Sequence, residues 1–233
     1  MGAELDAGGL PWEDRSPMDY RTTKAFDHFL SGLAQAERDA ALRILRDETE
    51  GIRALAPGPG RAQEIHRRVD EALARFAGMR PDVVGQVRCG KGCAHCCRLW
   101  VGVTCDEAAL LAERVRAGGA HPDAARMAFQ ATWASPADFI GKPREEASCV
   151  FLGPDGACTV YEDRPSICRA VLVASDPEAC RDGDLSTRIT AVINPYVEVL
   201  VSAALTVDAA THPPPAPGRH LATELLAALN PPQ

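Results

Sequence analysis

The sequence predicts a mostly helical α+β protein, in which a small metal-bound, cysteine-rich core with a β-hairpin is flanked by helices on both sides. Three observations predict it. All nine cysteines of the 233 residues fall between Cys89 and Cys180. The segments on either side carry apolar residues at helical spacing. Within the cysteine-bearing segment, Gly153-Pro154-Asp155-Gly156 separates two short β-prone runs. These limits suggest a helical region over 1–84, a cysteine-cluster metal-binding domain over 85–182 and a helical tail over 183–233.

From about Thr22, Phe26, Phe29, Leu30 and Leu33 share a helical face, and Ile44, Leu45, Ile52 and Leu55 continue the pattern after a break at Gly32. Ala56-Pro57-Gly58-Pro59-Gly60 has the composition of a turn. A second helix follows, with Ile65, Val69, Leu73 and Phe76 on one stripe, ending near Gly78 and before Pro81. Leu99–Val103 reads as a short strand. Thr104 and Glu107 then form a capping box for a helix that stops at Gly118-Gly119, and Pro122 opens a shorter one through Met127 and Phe129. Residues 134–148 read as a loop. Cys149–Leu152 and Cys158–Tyr161 read as the two strands of the hairpin. The tail reads as a helix from about Leu185 to Val207 bent at Pro195, a stiff linker at His212–Pro215, and a last amphipathic helix over Leu221–Leu229.

Acids outnumber bases 32 to 25, a net charge of −7. That balance argues against a bulk electrostatic grip on nucleic acid or an anionic membrane. No apolar run is long enough to span a bilayer. Met1–Asp14 has four acidic residues, no basic one and no apolar stretch, unlike a secretory signal. The expected compartment is therefore the cytoplasm, where structural disulfides are rare and dense cysteine points to metal or redox chemistry.

The densest group is Cys89-Gly90-Lys91-Gly92-Cys93-Ala94-His95-Cys96-Cys97. Ligands two or three residues apart reach one metal when a tight turn aims them inward, and Gly90 and Gly92 permit that turn. Side chains of neighbours such as Cys96 and Cys97 tend to diverge, which suggests two tasks. The second group is Cys149, Cys158 and Cys168, with Cys180 as a candidate eighth ligand. With a two-residue turn at Pro154-Asp155, Phe151 faces Cys158 and Cys149 lies diagonal to it, within reach of a shared metal; a one-residue slip undoes this. Arg88, Lys91 and Arg98, with no acid between Val84 and Thr104, would compensate thiolate charge and lower thiol pKa values. His95 reads as a neighbour of the ligands. Glu162, Asp163 and Arg164 read as supporting groups beside Cys158 and Cys168, or as a surface ion-pair set. Cys105 reads as a small, partly buried residue outside the ligand set, at a helix N-terminus that favours its thiolate.

These motifs resemble the bacterial YkgJ-type cysteine-cluster family, known by a CxxCxxCC signature and described as zinc- or iron-chelating. The resemblance rests on Cys89–Cys97, Val103-Thr104 with Glu107-Ala108, Cys149–Leu152, and Cys158-Thr159-Val160-Tyr161-Glu162-Asp163-Arg164-Pro165-Ser166-Ile167-Cys168-Arg169. It spans about residues 85–182 and implies metal chelation without a settled reaction. The three-residue gap between Cys89 and Cys93 is one departure from the signature.

Zinc and iron–sulfur centres both accept four thiolates. Seven or eight ligands suit two zinc sites, a four-iron cluster with spare thiols, or a larger iron centre. The uneven ligand spacing narrowly favours an iron–sulfur cluster with a redox, catalytic or accessory role in a modification pathway. The alternative is a structural zinc module that mediates protein–protein interaction through its flanking helices. No Ser-His-Asp set, phosphate loop or dinucleotide fingerprint is present.

Overall fold

The computed structural model describes residues 23–139, 141–180, 189–212 and 219–231. Its helices are α1 (Lys24–Ser31), α2 (Gln35–Arg53), α3 (Pro59–Met79), α4 (Pro81–Val84), α5 (Cys105–Arg116), α6 (Ala124–Gln130), α7 (Pro136–Phe139), α8 (Arg144–Ala147), α9 (Ser166–Ala170), α10 (Pro195–Thr211) and α11 (Leu221–Leu229).

Two apolar cores organise these elements. In the first, Phe26 of α1, Leu45 and Ile52 of α2, and Ile65, Val69 and Ala72 of α3 close around α10. α10 is buried on nearly all sides, from Val197 to Asp208, as expected of a helix whose apolar residues do not keep to one stripe. In the second core, Leu111 and Ala112 of α5, Met127 of α6, and Leu221 and Leu225 of α11 pack against Val150, Phe151 and Val160 of the cysteine-bearing segment. α3 and α5 join the cores through buried polar groups. The Arg61 guanidinium pairs with Asp106, and the His66 ring lies 3.2 Å from Glu107.

Local chemistry sets most helix ends as expected. Gly32 closes α1. Thr104 accepts the Glu107 amide while Glu107 reaches back to the Thr104 amide, so the capping box opens α5.

Several expectations are overturned. Among the described residues there is no β-strand, and hence no β-hairpin; the antiparallel contacts are isolated bridges at Gly102–His220, Leu152–Cys158 and Val173–Ala191. Leu99–Val103 is therefore not a strand. Among the described residues Val101 accepts only the Leu221 amide, from the start of α11, because a helix, not a second strand, lies beside it. The expected loop over 134–148 contains α7 and α8. The tail helix does not bend at Pro195 but starts there. Proline suits the first helical position, where its missing N–H costs nothing, and the Asn194 side chain caps the Tyr196 and Val197 amides. The stretch 185–188, Pro213–Pro215 of the linker and Met1–Asp14 lie outside the described residues. No described helix is long and apolar enough to cross a membrane.

Candidate metal centre

Short, hydrogen-bonded turns carry the cysteines. Arg88 N–H donates to Val173 O at 2.8 Å, and Val173 N–H donates to Cys89 Sγ at 3.1 Å. Gly92 adopts φ +93°, a conformation few other residues tolerate, and lets the chain reverse between Cys89 and Cys93. Cys96–Arg98 form one 3₁₀ turn. Its Cys97 carbonyl accepts the Cys149 amide at 2.6 Å, which ties the first cysteine group to the second.

The Cys149 region is held from behind. Arg126 donates to Cys149 O, and Gln130 donates to the carbonyls of Glu146 and Ser148. The following reversal differs from the expected two-residue turn. Gly153 N–H bonds to Ala157 O, Gly156 N–H bonds to Gly153 O, and Gly156 has φ +76°. This is a three-residue loop ending in a left-handed glycine. The register therefore shifts by one, so Leu152 rather than Phe151 opposes Cys158. Cys149 still joins the group because its own carbonyl accepts the Leu152 amide, turning the chain out of an extended course.

Cys168 lies on α9, entered through Pro165. The Ser166 amide donates to Glu107 Oε1 at 2.6 Å. Arg169, buried beside Cys168, grips both oxygens of Asp70 on α3.

Together these turns enclose a cavity of about 230 Å³ lined by Cys89, Cys93, Cys96, Cys97, Cys149, Cys158 and Cys168. Leu99, Trp100, Phe151, Ile167 and Leu221 supply much of its apolar wall. Seven of the eight expected ligands thus converge. Cys96 and Cys97 face the same cavity rather than diverging, with their thiols hydrogen-bonded. Cys180 is not in the lining, but it stands near enough to Cys93 and Cys96 for their charge to act on its thiol. Cys105 lies outside the lining, and burial, with the Asp208 carboxylate beside it, raises its thiol to about 12 instead of favouring the thiolate. His95 lines an adjoining cleft, not the thiol cavity. Arg164 stacks on Tyr161, 4.0 Å from the ring centre, and both line the cavity. Asp163 turns away to pair with Arg114.

Burial, not the nearby bases, dominates the thiol chemistry. It pushes Cys149 up to about 12 and Cys168 well above the usual thiol range, and it also raises Cys89, Cys158 and Cys180. Cys96 is raised first by its hydrogen bond to Cys97 and then by burial. Arg164 and Lys91 pull Cys158 the other way without reversing it. At neutral pH these thiols are protonated, and a soft cation would displace the protons as it binds.

Sequence reasoning did not assign the buried polar support. Glu107 is held by His66, Thr104 and Ser166, so one carboxylate links α3, α5 and the turn of Cys168. Its capping-box spacing was visible, but its partners lie 41 and 59 residues away along the chain.

An apolar cavity walled by thiols, with no Asp, Glu or His in its lining among the described residues, is a site for soft metals, and it defines a cysteine-cluster metal-binding domain. Residues 88–185 match the CxxCxxCC family model, described as a putative zinc- or iron-chelating domain. The match contains every cavity cysteine and leaves out α1–α4, α10 and α11. No curated protein and no solved structure matches the chain.

Proposed function

We propose that the thiol cavity holds an iron–sulfur centre and that the protein serves a redox role, either as a catalyst or as an accessory to a modifying enzyme. The observation that carries this reading is the ring of seven thiols around one cavity. A single tetrahedral zinc with bonds of about 2.3 Å needs four sulfurs about 3.8 Å apart. Among the described residues no three thiol sulfurs of the cavity lie mutually within 4.8 Å. A group of several bridged iron atoms suits such a ring better than one ion. When bound, it would supply one-electron chemistry at potentials set by burial and by hydrogen bonds to sulfur.

The chain's own residues would tune that centre. Val173 N–H already donates to Cys89 Sγ, and Arg164 and Lys91 bring positive charge to Cys158. The cavity is also open on one flank. Gly92 and Cys93 line a neighbouring surface cleft of about 670 Å³, together with His95, Arg98, Glu145 and Glu178. Structural metal sites are closed, whereas reactive ones keep an approach for a substrate or partner. An accessory role calls for a protein partner on the flanking helices, and the exposed Ile44 of α2 and Met79 of α3 support one.

Purification without oxygen, followed by iron, sulfide and zinc analysis and a visible spectrum, tests the proposal. Brown protein with iron and acid-labile sulfide is the expected result. Colourless protein with zinc alone overturns it in favour of the structural zinc module.

A further inference from the structure

A second cluster of metal-binding side chains lies outside the thiol cavity. The sulfur of Cys105, a carboxylate oxygen of Asp208 and a ring nitrogen of His212 lie within 4.8 Å of one another. They come from the first position of α5 and from the end of α10. Asp208 and His212 are one helical turn apart and share a face. Glu224, from the first turn of α11, adds Oε2 at 3.8 Å from the Cys105 sulfur. We infer that Cys105, Asp208 and His212, backed by Glu224, form a mononuclear site for a borderline divalent cation, zinc above all.

Ligand type, charge and placement support the assignment. One thiol, one imidazole and carboxylates are the donor set that zinc accepts. Asp208 is buried and already oriented: the Cys105 amide donates to Oδ1 at 2.8 Å and Arg219 Nε donates to Oδ2 at 2.9 Å. Arg219 also bonds Glu224 Oε2 at 3.0 Å, so one guanidinium serves two carboxylates and leaves one negative charge uncompensated. Zinc binding with release of the Cys105 proton to water adds two positive charges and one negative, which brings the cluster to neutrality. Asp208, His212 and Glu224 lie beyond the matched residues 88–185, so the family match does not account for this site. The site is independent of whichever metal fills the thiol cavity.

The test uses the full chain with its cavity metal in place. Wild type, Cys105→Ala and His212→Ala are equilibrated with zinc, desalted and analysed for metal. Both variants should hold about one zinc per chain less than wild type, with the cavity metal unchanged. The His212 side chain is 45% exposed, so its truncation leaves the fold intact. Iodoacetamide alkylation mapped to the Cys105 peptide adds a local readout. Zinc should slow it about tenfold or more in wild type and not in His212→Ala. Zinc content unchanged in His212→Ala, or Cys105 alkylation indifferent to zinc in wild type, overturns the inference.

Discussion

The two cores are built in opposite ways. The first is made of long helices, with α2, α3 and α10 running 19, 21 and 17 residues, and it closes on aliphatic side chains and Phe26. The second sets the shorter helices α5, α6 and α11, of 12, 7 and 9 residues, against a segment of three- to five-residue turns, isolated bridges and individually placed hydrogen bonds around a cavity of thiols. Regular helices satisfy their own backbone, so the first core rests mainly on apolar burial. The cysteine segment obtains its shape from contacts between residues far apart in sequence, and metal would complete them. This contrast predicts that metal loss loosens one half of the molecule and spares the other.

The largest effect should follow from removing the metal. In small zinc-finger domains metal binding supplies about 10–16 kcal/mol of folding free energy. Chelation, or Cys93→Ser, Cys97→Ser or Cys168→Ser, should empty the cavity and strip hydrogen-exchange protection from residues 89–168. α2, α3 and α10 should keep theirs. Equal loss across both halves would break the comparison.

Next in size are changes that reach one core or both. Phe26→Ala should cost about 3–5 kcal/mol of stability in denaturant melts yet leave metal content unchanged. Glu107→Ala should cost a similar amount, about 3–5 kcal/mol, because it leaves His66 and the Ser166 amide without their buried partner. Unlike Phe26→Ala, it should also weaken metal retention, since Glu107 anchors the turn that carries Cys168. Metal analysis of the two variants side by side sharpens the distinction.

The cavity thiols and the carboxylate that supports them should respond to pH over different ranges. Burial raises the cavity thiols, so each metal–thiolate bond expels a proton, and metal affinity should rise as pH rises from 6 toward 9, as proton release on loading would show. Glu107 is shifted the opposite way, but its effect also favours higher pH, over a lower range. Burial alone would raise it, but the His66 bond, aided by the Ser166 and Thr104 amides, holds it at about 2. Its stabilising contribution is therefore present above the ordinary carboxylate pKa of about 4.3 and lost as pH falls toward 2, which melts across that range would detect. The smallest effect is that of Thr104→Ala, about 1 kcal/mol from the lost cap of α5.

The flanking helices were largely legible because periodicity and caps are local signals. Phe26, Leu45, Ile52, Ile65 and Val69 all lie in the first core where their spacing put them. The absence of a hairpin was not legible in the sequence, because β-prone residues form strands only when a partner strand is available. At Cys149–Leu152 the partner is a single bridge, and the turn at Gly156 shifts the register.

The cysteine spacing by itself determined that thiols concentrate between residues 89 and 180, that they form two groups, and that Gly92 permits the reversal between Cys89 and Cys93. Tertiary structure alone decided that Cys96 and Cys97 face one cavity, that Cys180 stands outside its lining, and that Cys105 meets Asp208, His212 and Glu224. The reason is physical. A ligand's place within a turn depends on a few neighbouring dihedral angles, which the local sequence restricts. The meeting of Cys105 with residues more than 100 positions later depends on how α5, α10 and α11 pack, and no local pattern records that.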